Sequence, residues 1–336
     1  MPELPEVETI RRGLTKTIVG KKIVKFESRD LKVVQFETKD IEGMTVVSIE
    51  RRAKILVFYL SNYSSNDSKK SENSSRSMNS NNKALLCHLK MTGQLIWEAC
   101  PGENEFCLKK SRVAGGHPSP DWVAKLPNVY TRAIFHFDDG SVLFFNDLRR
   151  FGYLKLYDLK QFVIPAKAGI LEDKKIPGQA RDDILNNIPE LSKLGPEPFS
   201  DQFTIEYMMR RAAKIPNRKI KQFITDQEII SGVGNIYVDE ALFYAGIMPT
   251  RAVKDIKLSE WKKIKESVIK ALELGIRYGG SSEDTYVDAF GNQGTMGDHT
   301  KVYRRTGNPC PNGCGGVVKR ITLGGRGTHF CPSCQE

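Results

Sequence analysis

The sequence predicts a multidomain α+β protein: an N-terminal β-sandwich with flanking helices, a helical domain, and a small metal-held ribbon at the C-terminus. Three observations carry this. Short runs rich in Val, Ile and Phe, broken by charged turns, occupy the first half of the chain. An amphipathic helical stripe follows in the second half. Four of the seven cysteines then fall in the last 27 residues, where their spacing points to a metal rather than to disulfides.

At 336 residues the chain is long enough for two or three domains that each bury a core. A hydrophobic fraction of 40% with 27% charged residues is ordinary for a globular protein, but the formal net charge of +11 is not. Such an excess of cations predicts a polyanionic partner, with nucleic acid the first candidate and an acidic membrane surface the second. No apolar run approaches the roughly 20 residues needed to span a bilayer. The N-terminus carries glutamates and no apolar segment, unlike a secretory signal. The expectation is a cytoplasmic monomer with no obligate protein partner and no membrane association.

The chain opens Met1-Pro2-Glu3-Leu4-Pro5-Glu6-Val7. Proline at a helix entry and glutamate in its first turn suit a helix N-terminus, and Val7, Ile10 and Leu14 follow at helical spacing. The same residues allow chemistry. Removal of Met1 would free the Pro2 nitrogen, a secondary amine with an ordinary pKa of about 8 and therefore partly neutral near pH 7. Attack on a sugar C1′ would give an iminium that cannot relax to a neutral imine, and Glu3 stands beside it as a proton-transfer group.

Strand-like runs follow at 22–26, 44–49 and 55–60, with the basic turn Arg51-Arg52-Ala53-Lys54 between the last two. Residues 61–83 are Ser-, Asn- and Lys-rich and read as a disordered insertion. Residues 84–97 resume the strand pattern around His88-Leu89-Lys90-Met91-Thr92-Gly93, and 98–128 read as a polar loop that includes Cys100 and Cys107, to which no role is assigned. Residues 133–137 and 141–145 flank Asp138-Asp139-Gly140, a hairpin turn. The hairpin delivers Asn146-Asp147-Leu148-Arg149-Arg150-Phe151-Gly152, where two arginines beside an aromatic at a strand end suit a wedge for a base step, or equally a buried Phe with surface arginines. Residues 162–183 read as a lengthened linker.

In the second half, Gly232-Val233-Gly234-Asn235 precedes an apolar helix, a turn that offers free backbone N–H groups to a phosphate. Leu258, Trp261, Ile264, Val268 and Leu272 share one helical face opposite lysines. The chain ends with Cys310-x3-Cys314 and Cys331-x2-Cys334, four thiolates suited to one structural, tetrahedral Zn2+ with no open position.

The wording of these stretches resembles the bacterial formamidopyrimidine-DNA glycosylase family. PELPEVET, RRAK, HLKMTG, RRFG, GVGNIY and the cysteine finger occur in family order, interrupted by the insertions. The first cysteine knuckle is one residue longer than the family's usual gap. The resemblance implies an N-terminal catalytic β-sandwich over 2–160, a linker with insertion over 161–193, a helix–two-turn–helix domain with a lesion-capping loop over 194–300, and a zinc-ribbon finger over 301–336. It implies base-excision repair of double-stranded damaged DNA by a glycosylase that is also a DNA-(apurinic or apyrimidinic site) lyase acting on oxidised purines. Pro2 would be the Schiff-base nucleophile, Glu3 the proton donor, Lys54 the proton donor for β-elimination and Arg326 that for δ-elimination, with Glu6 in support. His88, Met91, Arg149, Arg150, Phe151, Asn235 and Tyr303 would contact DNA. Two alternatives stay open: the sister glycosylase for oxidised pyrimidines, which begins PEGPE where this chain has Leu4, and a DNA-binding relic without catalysis.

Overall fold

The computed structural model describes residues 1–62, 82–99, 126–162, 187–281 and 294–336, together with the backbone of 112–115. The 162–183 insertion, Cys100, Cys107, most of 61–83 and the centre of the 279–300 loop lie outside the described residues. The chain divides into two compact units: residues 1–2, 7–192 and 283–293 form the first, and residues 3–6, 193–282 and 294–336 the second.

The first unit is a two-layer antiparallel β-sandwich. Helix α1, Leu4–Ile18, leads into β1, Ile23–Ser28, then β2, Thr45–Arg52, β3, Ile55–Ser61, β4, Lys83–His88, and β5, Gly93–Glu98. β6, Arg112–Gly115, β7, Thr131–Phe137, β8, Val142–Asp147, and β9, Tyr153–Asp158, complete the strands. One sheet has the order β1-β7-β8-β5-β6 and the other β2-β3-β4-β9. The period-two alternation explains the layers. Leu143 and Phe145 of β8 enter the shared core with Leu56, Phe58 and Leu60 of β3, whereas Val142 and Phe144 join a smaller cluster on the other face. Val7, Ile10, Leu14 and Ile18 bring the apolar stripe of α1 into the same core, each buried side chain contributing roughly 1.5–3 kcal/mol.

One element departs from the sequence reading. β6 lies within the stretch read as a loop, and pairs with β5 through Leu95↔Gly115 to Glu98↔Arg112. An edge strand is held by main-chain hydrogen bonds to one neighbour, so it needs no apolar alternation to form.

The second unit is helical, with a β-hairpin finger. After α2, Pro189–Ser192, which ends the 7–192 segment of the first unit, its helices are α3, Ile205–Ala213, α4, Ile220–Thr225, α5, Asn235–Ala245, α6, Leu258–Arg277, and α7, Met296–His299; β10, Lys319–Leu323, and β11, Arg326–Phe330, form the hairpin. Trp261, Ile264, Val268 and Leu272 are buried as their spacing predicts, but Leu258, the first residue of α6, is 63% exposed because the first turn stands clear of the core. Helices α5 and α6 pack at Gly275, where an added Cβ would lie 2.4 Å from Cε1 of the fully buried Tyr237.

That contact sets a prediction. Alanine in a helix interior is ordinarily better than glycine by about 1 kcal/mol. Here Gly275→Ala is expected to destabilise the protein by about 1–3 kcal/mol through overpacking, read from urea unfolding midpoints. A gain in stability would contradict the packing described.

Candidate active site and nucleic-acid interface

Strand register assembles three of the sequence motifs at one end of the sandwich. Arg52 pairs with Ile55, Ile55 with His88, and His88 with Tyr153, so the RRAK turn, the start of the HLKMTG segment and the end of the RRFG segment follow one another across a single sheet. In the other sheet Gly93 pairs with Asp147. Three of these turns contain a non-glycine residue in the left-handed region: Ala53 at φ 55°, Lys90 at φ 51° and Arg150 at φ 58°. Side chains with a Cβ occupy that region at a cost, and the surrounding hydrogen bonds hold them there.

In the RRAK turn, Arg51 is anchored from two sides. Its Nε lies 3.3 Å from Glu8, and its Nη1 donates to the Ala53 carbonyl at 3.0 Å. Burial alone would raise the Glu8 pKa, but hydrogen bonds from Arg11 and Arg12 and the charges of Arg11 and Arg51 bring it down to about 2. Glu8 is thus a fixed anion that holds three arginines. Lys54, the next residue along the turn, is buried at 5% exposure.

The RRFG loop is shaped by Asp147, which is fully buried. One of its oxygens accepts from the Thr92 hydroxyl and the Arg149 N–H, and the other from Gly152 N–H at 2.7 Å. This grip exposes Phe151 to 55% and leaves Met91 42% exposed. Arg150 turns back to Asp30, with Nε at 2.5 Å and Nη2 at 3.0 Å from the carboxylate. The pairing uses two of the guanidinium's N–H donors and leaves the others for a phosphate. Neither Asp147 nor Asp30 was singled out by the sequence, since a carboxylate that caps a distant loop leaves no local pattern.

His88 receives the Lys90 N–H on Nδ1 at 3.0 Å and packs edge-on against Tyr153. Burial, then the charges of Lys90 and Lys54, push its pKa down to about 3. It is therefore neutral near pH 7, and with Nδ1 accepting, its proton sits on Nε2, where it can be donated to an anion.

In the second unit, the buried carboxylates of the N-terminal segment are fixed by α5 and its surroundings. Glu6 accepts from Glu3 N–H at 2.8 Å, the Tyr237 hydroxyl at 2.6 Å and Ser281 N–H at 2.8 Å. Glu3 Oε1 accepts from Ile236 N–H at 3.1 Å. A Cβ at Gly234 would fall 2.1 Å from the Glu3 carboxyl carbon, so only glycine permits this approach. The helix start read as a phosphate site therefore carries the Glu3 carboxyl group on one of its free N–H groups. Asn235 is the first helical residue rather than the cap, and its Nδ2 donates to Gly327 O at 3.0 Å.

That carbonyl belongs to the residue after Arg326, which is exposed at the start of β11. Lys221 Nζ donates to the same Gly327 O at 3.0 Å and to Thr328 Oγ1 at 2.8 Å, and pairs with Asp239 at 2.7 Å. Asp239 also accepts from His329 N–H at 2.9 Å. Burial lowers the Lys221 pKa against the opposing charge of Asp239. Glu240 accepts the N–H groups of Lys301, Val302 and Tyr303, while burial raises its pKa. The consecutive acids of the NIYVDEALF helix thus hold the two segments that bear Arg326 and Tyr303. No local pattern announces this, because both acids sit in an otherwise apolar helix and the segments they hold lie 60 to 90 residues away.

Cys310, Cys314, Cys331 and Cys334 bring their sulfurs within 4.8 Å of one another, with Cys310 to Cys334 and Cys314 to Cys331 each at 3.6 Å. A tetrahedral zinc–thiolate centre with bonds of about 2.3 Å requires sulfurs about 3.8 Å apart. The four cysteines fit one structural Zn2+, and the longer first knuckle does not displace its ligands.

The state of His88 is testable. Its ring nitrogens in a 15N-labelled protein are expected to keep the neutral, Nε2-protonated pattern from pH 8 down to pH 5. A titration near the ordinary histidine pKa of about 6.5 would contradict the burial described.

The model for the formamidopyrimidine-DNA glycosylase N-terminal domain matches residues 1–154, that for the H2TH domain of the same enzyme residues 194–287, and that for a zinc finger found in FPG and IleRS residues 307–336. The formamidopyrimidine-DNA glycosylase of Streptococcus pneumoniae is 33% identical over 340 residues, covering 100% of this chain and 99% of that protein. That of Halalkalibacterium halodurans is 34% identical over 343 residues, covering both chains fully at 100%. Among solved structures, the Lactococcus lactis Fpg bound to DNA containing an abasic site aligns with a TM-score of 0.70 at 29% identity, covering 100% of each chain. A mutant of the same protein bound to DNA containing Fapy-dG aligns equally, at 0.70 and 29%. Similarity that runs from the N-terminal proline through the helical turn to the last cysteine assigns the whole chain to the formamidopyrimidine-DNA glycosylase family.

Proposed function

We infer that this protein is a base-excision repair enzyme, a bifunctional DNA glycosylase and apurinic/apyrimidinic lyase that removes oxidised purines such as 8-oxoguanine and formamidopyrimidines from duplex DNA. The observation that carries the reading is the fixed Glu3 carboxylate, docked on the N–H of Ile236 one residue along the chain from Pro2. Family membership supports the activity, and the net charge of +11 supports the substrate class. We assign 2–160 to a catalytic domain, 194–300 to the helix–two-turn–helix domain and 301–336 to the finger. Among the described residues no helix is long and apolar enough to cross a membrane, and the proposed place of work is the cytoplasm.

With Met1 removed, the lone pair of Pro2 attacks C1′ as the glycosidic bond breaks. The leaving base takes the bonding electrons and a proton, and Glu3 serves the proton transfers. The Pro2 nitrogen loses its proton and the sugar then opens: the C1′–O4′ bond breaks as O4′ takes a proton from Glu3, leaving an iminium that acidifies the C2′ hydrogen. Loss of that proton expels the 3′ phosphate in β-elimination, and a second loss expels the 5′ phosphate in δ-elimination. Lys54 is assigned the first elimination and Arg326 the second. Base eversion leaves a gap that Met91, Arg149 and Phe151 fill, with His88, Arg150, Asn235 and Tyr303 along the backbone. Zinc holds the finger in shape and takes no part in the chemistry.

Borohydride trapping tests this reading. Incubation with an 8-oxoguanine duplex is expected to give a covalent complex whose peptide map shows reduction at the Pro2 nitrogen in a chain lacking Met1, with a thymine-glycol duplex trapped more slowly. Binding without any trapped complex, or attachment at a lysine, would overturn the mechanism.

A further inference from the structure

The two most exposed large apolar side chains among the described residues are Leu31, at 82%, and Val129, at 77%. Both exceed Phe151 and Met91, two of the residues expected to contact DNA. Single exposed apolar residues are common on protein surfaces, but these two share one end of the five-stranded sheet with the RRFG loop. β1 and β7 pair up to Ser28↔Ala133, Arg29 N–H then donates to Arg132 O, and each chain turns immediately beyond.

Neither turn is loose. The first is closed by the N–H groups of Val33 and Val34 on the Asp30 carbonyl, and by Lys32 N–H on the Asp30 carboxylate. The second is closed by Thr131 N–H on Asn128 O and by Tyr130 N–H on Asn128 Oδ1. Both are tied to the loop that bears Phe151. Asp30 grips Arg150, Arg132 donates to Asp147 O at 2.9 Å, Asp147 N–H donates to Tyr130 O at 2.9 Å, and Lys32 Nζ lies 5.9 Å from the centre of the Phe151 ring. The Asp30 and Asp147 carboxylates are buried and engaged, which leaves cations and apolar tips to face outward.

We propose that Leu31 and Val129 form a second apolar contact on the damaged duplex, packing on deoxyribose and base edges beside the step that Phe151 enters. The proposal rests on the reading of Phe151 as a DNA wedge and extends it. Apolar tips on two turns tied to the Phe151 loop, with Arg29 and Lys32 in the first turn and Lys32 Nζ 5.9 Å from the Phe151 ring, suit a polyanion with apolar sugar faces. Holding three turns together fixes the spacing of the contacts before DNA arrives, so little ordering is needed on binding.

The test is equilibrium binding of the zinc-loaded, full-length protein to a duplex with a stable tetrahydrofuran abasic analogue, over a range of salt. The Leu31→Ser/Val129→Ser variant is expected to bind about tenfold more weakly, with thermal midpoint unchanged. The slope of log Kd against log salt should stay the same, because apolar contacts release no counterions, whereas Leu31→Lys should steepen it by about 1. Wild-type affinity in the double variant, with Phe151→Ala weakened, would overturn the proposal alone. Wild-type affinity in both would overturn it together with the reading of Phe151.

Discussion

The constraint on which the rest depends is the buried carboxylate of Glu6. At 3% exposure it accepts three hydrogen bonds, from the Glu3 backbone, the Tyr237 hydroxyl and the Ser281 backbone. Chain termini ordinarily fray because nothing offsets their conformational entropy. Here a short segment is fixed by charge-assisted bonds in a water-poor setting, where each is stronger than at the surface. The adjacent Glu3 is fixed in turn on the start of α5. In the mechanism proposed above, a Pro2 amine freed of Met1 would stand next to a residue held in this way.

The same device recurs through both units. Asp147 shapes the RRFG loop, Asp30 fastens Arg150, Glu8 gathers Arg11, Arg12 and Arg51, and Glu240 collects three consecutive N–H groups. Leaving any of these carboxylates without its donors would cost several kcal/mol, so each works as a specific lock on one loop. Three of the locked turns hold non-glycine residues at positive φ. Buried acids therefore organise loops in a chain whose 51 lysines and arginines outnumber its 40 acidic residues.

Much of this was legible in the chain. The cysteine spacing gave the metal ligands, the Asp-Gly pair gave the β7–β8 turn, and helical periodicity gave the buried face of α6, because each is a local pattern. The motifs that carry the family resemblance were readable in the chain, and strand register brings RRAK, HLKMTG and RRFG to one end of the sandwich. What stayed hidden was long-range: Asp147, Asp30, Lys221, Asp239 and Glu240 look like surface charges until register and packing bring their partners in. Asn235 shows the limit most clearly. Its position in the GVGN turn suggested a cap, but it is the first helical residue, its amide is on Gly327 O, and the neighbouring Ile236 N–H is taken by Glu3, a residue more than 230 positions earlier.

The most direct measurement is the rate of borohydride-trappable intermediate in Glu6→Gln. Glutamine keeps the shape and one acceptor oxygen, but sets an NH2 group against one of the three N–H or O–H donors that the carboxylate now satisfies. If Glu6 fixes the terminus, the variant retains zinc and affinity for abasic-analogue DNA while trapping slows by about tenfold or more, as the loss of one charge-assisted bond implies. A variant that forms the covalent intermediate at the wild-type rate would contradict the account.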